Sequence, residues 1–299
     1  MRYVRLTAVL LLAACGDSTT APVVPPAPVA TSIVLSPTSV SLEALGATSQ
    51  LSATVKDQNG ATMSGASVSW ATSAASVATV SSTGLVTAVA GGTATVTATS
   101  GAASGTVSVT VTQVAASVMV TPDTLSFASQ GDTATLSVTV EDVGGNEISG
   151  ATVSWTTSDS TIATVSDAGL VTSVADGTAT LTATSGAASD TASVTVLQVA
   201  ASVVLSDTVL SFSTLGDTTQ LTVRVKDAND STMVSPTVSW TTSDSTVATI
   251  SDAGLVTSVT NGTATLTATS GAVSDTATVT IAQEAASIEL SPTVLTFSI

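Results

Sequence analysis

The chain repeats itself every 85 residues, and that period constrains its fold more than any other feature. Trp70, Trp155 and Trp240 mark it, as do Phe127, Phe212 and Phe297, with Leu42 in the matching place of the first unit. The unit openings keep step: Ser32-Ile33-Val34-Leu35, Ser117-Val118-Met119-Val120, Ser202-Val203-Val204-Leu205 and Ser287-Ile288-Glu289-Leu290. The second and third units share VSWTTSDST, SDAGLVTSV and GTATLTATSGA without change, which points to duplication of one module. A unit of this length matches a small domain, so the chain reads as three complete domains and the start of a fourth.

Inside each unit the apolar residues alternate with period two, the pattern of a strand with one buried face. Leu51, Ala53 and Val55 point one way while Ser52, Thr54 and Lys56 point the other. Leu221, Val223 and Val225 alternate with Thr222, Arg224 and Lys226, which puts both bases on the wet face. Ala94, Val96 and Ala98 alternate with threonines, and Val107, Val109 and Val111 with polar neighbours. Val and Thr suit a pleated, half-buried surface. Between GLVTAV and TATVTAT the three units carry Gly91-Gly92, Asp176-Gly177 and Asn261-Gly262, dipeptides that fit a type I′ hairpin turn. Each unit yields about seven short strands, so the expected fold is all-β: tandem immunoglobulin-like β-sandwiches with no disulfide. Trp70, Trp155 and Trp240 are expected to plug the cores beside Val68, Val153 and Val238, since the one cysteine, Cys15, lies outside the repeats.

The motif VSW…VATVS…GLVTAV..GTATVTATSG and its later counterparts resemble the bacterial immunoglobulin-like domains of group 2, found in intimin- and invasin-type surface proteins. The resemblance covers residues 32–299. It implies the sandwich fold and membership of a class used for spacing, adhesion and accessory roles alike.

The N-terminus has its own logic. Arg2 and Arg5 precede an apolar run from Leu6 to Ala14 that is too short to span a bilayer. It ends in Leu12-Ala13-Ala14-Cys15, which resembles a bacterial lipobox. That resemblance implies cleavage before Cys15, diacylglycerol on its sulfur, and membrane attachment through the acyl chains. Pro22, Pro25, Pro26 and Pro28 follow, four of the eight prolines in the chain, in a stretch that favours an extended spacer. The organisation read from these marks is a leader over 1–14, a lipidated Cys15 and Pro-rich tether over 15–31, repeats over 32–116, 117–201 and 202–286, and the start of a fourth repeat over 287–299. That last segment cannot close a sandwich alone, so either the chain is a fragment of a longer protein, which is the preferred reading, or this segment pairs with something else. The links Gln113 to Ala116, Gln198 to Ala201 and Gln283 to Ala286 are short, so the repeats read as beads on a stiff string. Each bead should be about 35–40 Å long.

Charge and missing residue types narrow the function. After the leader only Lys56, Arg224 and Lys226 stand against 21 acids, a balance that repels phosphate backbones and excludes nucleic acid as a partner. There is no histidine, and the one thiol is the expected lipid site, so the usual base–nucleophile pairs are missing. Asp159, Asp167, Asp176 and Asp190 recur in part as Asp244, Asp252 and Asp275, the pattern of loop and turn acids rather than of one catalytic pair. No catalytic residue, cofactor-binding residue or metal ligand is assigned, and the chain reads as a non-enzyme. Calcium, an oxygen-binding ion, stays open as a cofactor without named ligands. Asp227-Ala228-Asn229-Asp230 has the start of a calcium loop without its downstream glutamate, and Asp57 and Asp142 occupy the same place, so turn capping is the simpler reading.

The expected function is therefore a lipid-anchored stalk, spacer or adhesion module of the bacterial cell envelope, at the outer membrane or cell surface. The alternative is a binding module for polysaccharide, cell wall or a surface protein of a host or neighbouring cell. Hot spots favour Trp, Tyr and Arg, and the repeats hold one Arg and no Tyr, which weighs toward the spacer. The sequence sets no oligomeric state.

Overall fold

The computed structural model describes residues 26–285, 287 and 289. The leader, Cys15, most of the tether and nearly all of the fourth opening, Phe297 included, lie outside the described residues. Among the described residues every regular element is a strand. Gly46–Val111 and the strands before Glu43 form one compact unit, and Glu43–Leu45 with the chain from Thr112 onward form a second.

The first repeat shows the architecture. Its strands are β1 (Ala30–Ser36), β2 (Ser39–Leu42), β3 (Thr48–Gln50), β4 (Ser52–Asp57), β5 (Ser69–Thr72), β6 (Ala78–Val80), β7 (Leu85–Ala88), β8 (Gly92–Ser100) and β9 (Ala103–Val111). One layer has the order β2-β9-β8-β5, and the other is made of β3-β7-β6 and the pair β1-β4. All pairings are antiparallel except β2 with β9, which is parallel. The expected seven strand runs are present, but two are interrupted. The first breaks at Pro37-Thr38 into β1 and β2, which join different layers, and the second breaks at Leu51 into β3 and β4. The later repeats follow the same plan, from Ala115 to Val196 and from Ser202 to Ile281.

Alternation sets the core as the pattern requires. Leu51, Val86, Val96, Val107 and Val109 are at most 1 % exposed, and Leu221, Val256, Leu266 and Val279 fill the same places in the third repeat. Phe127, Phe212 and Leu42 are all buried. Small residues close the space between the layers: Ala78, Ala98, Ala163, Ala183, Ala248 and Ala268 are fully covered.

Two expectations are corrected. Gly91-Gly92 does not close a hairpin, because β7 and β8 lie in different layers and the chain crosses between them there. Only the second residue has positive φ, 146° at Gly92 and Gly177 and 151° at Gly262. Glycine is needed there for space as well: a Cβ would come within 3.0 Å of Val77, 2.7 Å of Ile162 and 3.0 Å of Val247. The two-residue hairpin lies instead between β8 and β9, where Ser100 pairs with Ala103 around Gly101-Ala102. Gly101, with φ 58°, stands first in that loop, the position a Gly-first turn demands.

The tryptophans are the second correction. They point inward and pack on the core, but they are half-buried. Their strand is the edge of its layer, so one side of the indole stays near solvent. The covered side lies on a glycine: at Gly254, φ is 79°, and a Cβ would come within 2.6 Å of the Leu221 carbonyl and 3.1 Å of the Trp240 ring.

Two outcomes follow for urea unfolding of the full chain. Leu266→Ala should cost the third repeat about 2–5 kcal/mol. Gly254→Ala should lower the unfolding midpoint clearly more than Gly271→Ala, whose residue also has positive φ but meets open space.

Candidate functional site: a carboxylate joint

The strand Val223–Lys226 ends at Asp227, and the chain turns through residues 228–231. Asp and Asn favour such turns because their side chains bond backbone N–H groups two residues on. Asp227 Oδ1 accepts the amides of Asn229 at 3.0 Å and Ser231 at 2.9 Å. Its second oxygen leaves the turn: Oδ2 accepts the Gln130 amide and the Gln198 side-chain amide, each at 2.8 Å, both from the second repeat. Asn229 completes the contact. Its Nδ2 donates to the Gln130 carbonyl and to Asp132 Oδ1, both at 2.8 Å. The third repeat thus presents an Asp-x-Asn turn, and the second presents a socket of Gln198, the Gln130 backbone and Asp132.

The joint is buried at its centre, with Asp227 3 % and Gln198 6 % exposed. Burial alone would raise the Asp227 pKa, but the Gln198 amide and the backbone amides of Gln130, Ser231 and Asn229 outweigh it and hold the carboxyl below its usual range. Four N–H donors on two oxygens keep the buried charge satisfied. The link itself is fixed too: Val199 N donates to Ala128 O at 2.9 Å, Ala201 N to Lys226 O at 2.8 Å, and Gln198 N to Asp176 Oδ1 at 2.8 Å.

Asp142 repeats this chemistry within the second compact unit. Oδ1 takes the amides of Gly144 and Asn146, while Oδ2 takes Leu45 N and Gln113 Nε2, each at 3.0 Å. Burial would raise its pKa, but the Asn146, Leu45 and Gln113 donors carry it well below the ordinary carboxylate range. Asp57 makes the turn as well, with Oδ1 accepting Asn59 N and Ala61 N at 2.9 Å. Turn capping is therefore what all three acids do. At Asp142 and Asp227, oxygens that could have served a calcium ion are engaged by N–H donors instead.

The other recurring acids have local work. Asp159 and Asp244 each bond the amide and hydroxyl of the threonine two residues on, which lowers their pKa. Asp190 Oδ2 accepts Val120 N at 2.8 Å and Asp275 Oδ2 accepts Leu205 N at 3.0 Å, tying the first strand of a repeat to its last. Asp167 and Asp252 are exposed in turns. Among the described residues no three His, Cys, Asp or Glu side chains gather as a metal cluster.

Arg224 is exposed and Lys226 half-buried on the wet face, as the alternation requires. Lys226 pairs with Asp230 at 2.8 Å. A shallow groove runs beside Arg224, along Val204, Ser206 and Thr222.

Sequence reasoning missed the role of Gln113 and Gln198. A signal was present, since Gln113, Gln198 and Gln283 keep the same period as Asp57, Asp142 and Asp227. The partners lie too far apart in the chain for local patterning to join them: Gln130 and Asp227 are 97 residues apart.

Comparison with known protein families agrees with this architecture. The family described as bacterial Ig-like domain (group 2) matches at residues 29–111, 114–196 and 199–281. Solved structures with similarity include domains 1–6 of the surface layer protein SbsC, at 22% identity and TM-score 0.31, with 86% of this chain and 41% of that one covered. The chain thus spans less than half the length of that protein. The Escherichia coli adhesin FdeC is similar at 20% identity and TM-score 0.35, covering 84% and 96%. Titin domains I67–I69 are similar at 13% identity and TM-score 0.44, covering 85% and 99%. No curated protein matches the chain.

The depressed carboxylates set a pH dependence. A carboxyl whose pKa is lower in the folded state stabilises fully above the unfolded value of about 3.9, and that stability is lost as pH falls through the folded pKa. Melting temperatures should therefore decline in acid, below about pH 4. Asp227→Asn, which puts an amide against the Gln198 and Gln130 donors, should lower the neutral-pH melting temperature and flatten that decline, as read by calorimetry.

Proposed function

The chain belongs to the bacterial Ig-like domain (group 2) family, and on that premise we propose that it acts as a non-catalytic stalk of the bacterial cell envelope, anchored by lipid on Cys15. The observation that carries this reading is the joint at Asp227. A carboxylate buried between two repeats and bonded to both resists bending, which is what a spacer needs and a catalytic site does not. The engagement of Asp159, Asp190, Asp244 and Asp275 by neighbouring N–H and O–H groups supports the same reading, because each acid is used for architecture. The anchor rests on the resemblance of Leu12-Ala13-Ala14-Cys15 to a lipobox and on the Pro-rich stretch after it.

The second reading is a binding module for polysaccharide, cell wall or another surface protein. The exposed Arg224 beside its groove favours it, as the one arginine of the repeats. Arginine forks suit carboxylate groups, so an acidic glycan is the class to test.

Membrane fractionation and intact-mass measurement test the anchored stalk. The native protein should partition into detergent, start at residue 15 and carry acyl mass, and Cys15→Ser should release it into the soluble fraction. An unacylated protein with an uncut leader would contradict the anchor. Saturable binding of an acidic glycan, abolished by Arg224→Ala, would replace the stalk with the binding module.

A further inference from the structure

Tension on a stalk enters each repeat at its first strand run and leaves at its last, and in this fold those two lie side by side. In the second repeat Thr124–Phe127 runs parallel to Ala188–Val196, with Thr124 opposite Ser193 and Phe127 opposite Val196. The third repeat pairs Val209–Phe212 with Val273–Ile281 in the same way, and the first pairs Ser39–Leu42 with Ala103–Val111. Pulling on the two ends drives parallel neighbours in opposite directions along their common axis. Every hydrogen bond between them is then strained at once, whereas a hairpin pulled from its open end loses its bonds one at a time.

The repeats reinforce this pairing unequally. In the second, Ser193 N donates to Asp123 O at 2.8 Å, Leu197 N to Phe127 O at 3.0 Å and Val199 N to Ala128 O at 2.9 Å. In the third, Thr278 N donates to Thr208 O at 2.9 Å, Ala282 N to Phe212 O at 3.0 Å and Glu284 N to Ser213 O at 3.3 Å. Of these three flanking bonds the first repeat has, among the described residues, only Val114 N to Glu43 O at 3.0 Å. A side chain widens the gap. Asp190 Oδ2 accepts Val120 N and Asp275 Oδ2 accepts Leu205 N, each a tie from the last strand to the first, and the first repeat has Gly105 in that place. The Val120 and Thr191 amides hold the Asp190 carboxyl below its ordinary range, so that tie is charged at neutral pH.

We propose that the chain is a graded tension element, in which the first repeat opens at the lowest load while the second and third hold. The inference rests on the stalk reading, since a chain carries tension only when it is held at both ends. Hydrogen bonds to an ionised acceptor are stronger than neutral ones, so Asp190 and Asp275 add resistance where load separates first strand from last. Gly105 offers no such acceptor, and glycine inside a strand weakens it. The cores beneath the ties are alike, with Val109, Val194 and Val279 fully covered, so the difference lies in the ties. Opening the first repeat releases one 85-residue period, which lengthens the chain by roughly 250 Å. The Asp227 joint lies outside that repeat and stays closed meanwhile. The stalk thus gives way by one measured step before its stiff part is loaded to failure.

Constant-force stretching of the full chain, held by handles at its two termini and carrying Cys15→Ser, tests this. That change leaves no thiol, so Val109→Cys, Val194→Cys or Val279→Cys, each at a fully covered position, reports which repeat has opened by reacting with a thiol reagent. As the load rises, the Val109→Cys chain should react at a lower force than the other two. Forced unfolding follows the unfolding rate, so at fixed load Asp190→Ala should speed opening of the second repeat roughly tenfold, and Asp275→Ala that of the third. Asp159→Ala removes a carboxylate that bonds only Thr161 in its own turn, and it should leave the rate of the second repeat unchanged. A first repeat that opens at the same load as the others, or at a higher one, would overturn the proposal. So would an Asp190→Ala chain that opens no faster than Asp159→Ala. Either failure leaves the anchored stalk standing, because that reading is decided by fractionation and acyl mass.

Discussion

The joint between the second and third repeats rests on one buried carboxylate with two jobs. Asp227 shapes its own turn with Oδ1 and holds the preceding repeat with Oδ2. A buried charge without partners would be costly, and here each oxygen has two N–H donors, so the charge stabilises the arrangement that satisfies it. If the repeats bent apart, the carboxylate would lose Gln130 and Gln198 together. This coupling between a local turn and a long-range contact opposes bending at the link. A chain with three bases after its leader has few ion pairs to use in its place.

The sandwiches beneath the joint are held by close packing of small side chains. Alanines and valines from both layers are fully covered, and no cysteine lies within the repeats to pin the layers together. Close approach of the layers needs glycine where the chain crosses between them, at Gly92, Gly177 and Gly262, and under each indole. In the second and third repeats Asp190 and Asp275 also bond the first strand to the last. The first repeat has Gly105 at that position, where a Cβ would lie 3.0 Å from the Ile33 carbonyl. The same module is thus closed by a carboxylate in the second and third repeats and by direct backbone approach in the first.

Much of this was legible in the sequence. Alternation gave the buried and exposed faces correctly, including Arg224 and Lys226, because a strand with one wet face leaves a period-two record. The 85-residue spacing gave the repeats, since identical structural demands leave identical residues. What misled was glycine. Gly91-Gly92 reads as a hairpin turn, and sequence alone does not say whether a turn pairs its flanking strands or sends them to different layers. The indoles were placed on the correct face but too deep, because alternation does not report that their strand is an edge. Asp227 was legible as a turn cap. Its second oxygen was not, because its partners lie in another repeat.

The most direct measurement of the joint is amide hydrogen exchange at Gln130, whose N–H donates to Asp227 Oδ2. In the wild-type chain this amide should be protected, and Asp227→Ala should remove that protection while the Gly177–Ser185 and Ala188–Val196 strands stay slow. Free exchange at Gln130 in the wild type, or protection that survives Asp227→Ala, would contradict the carboxylate joint.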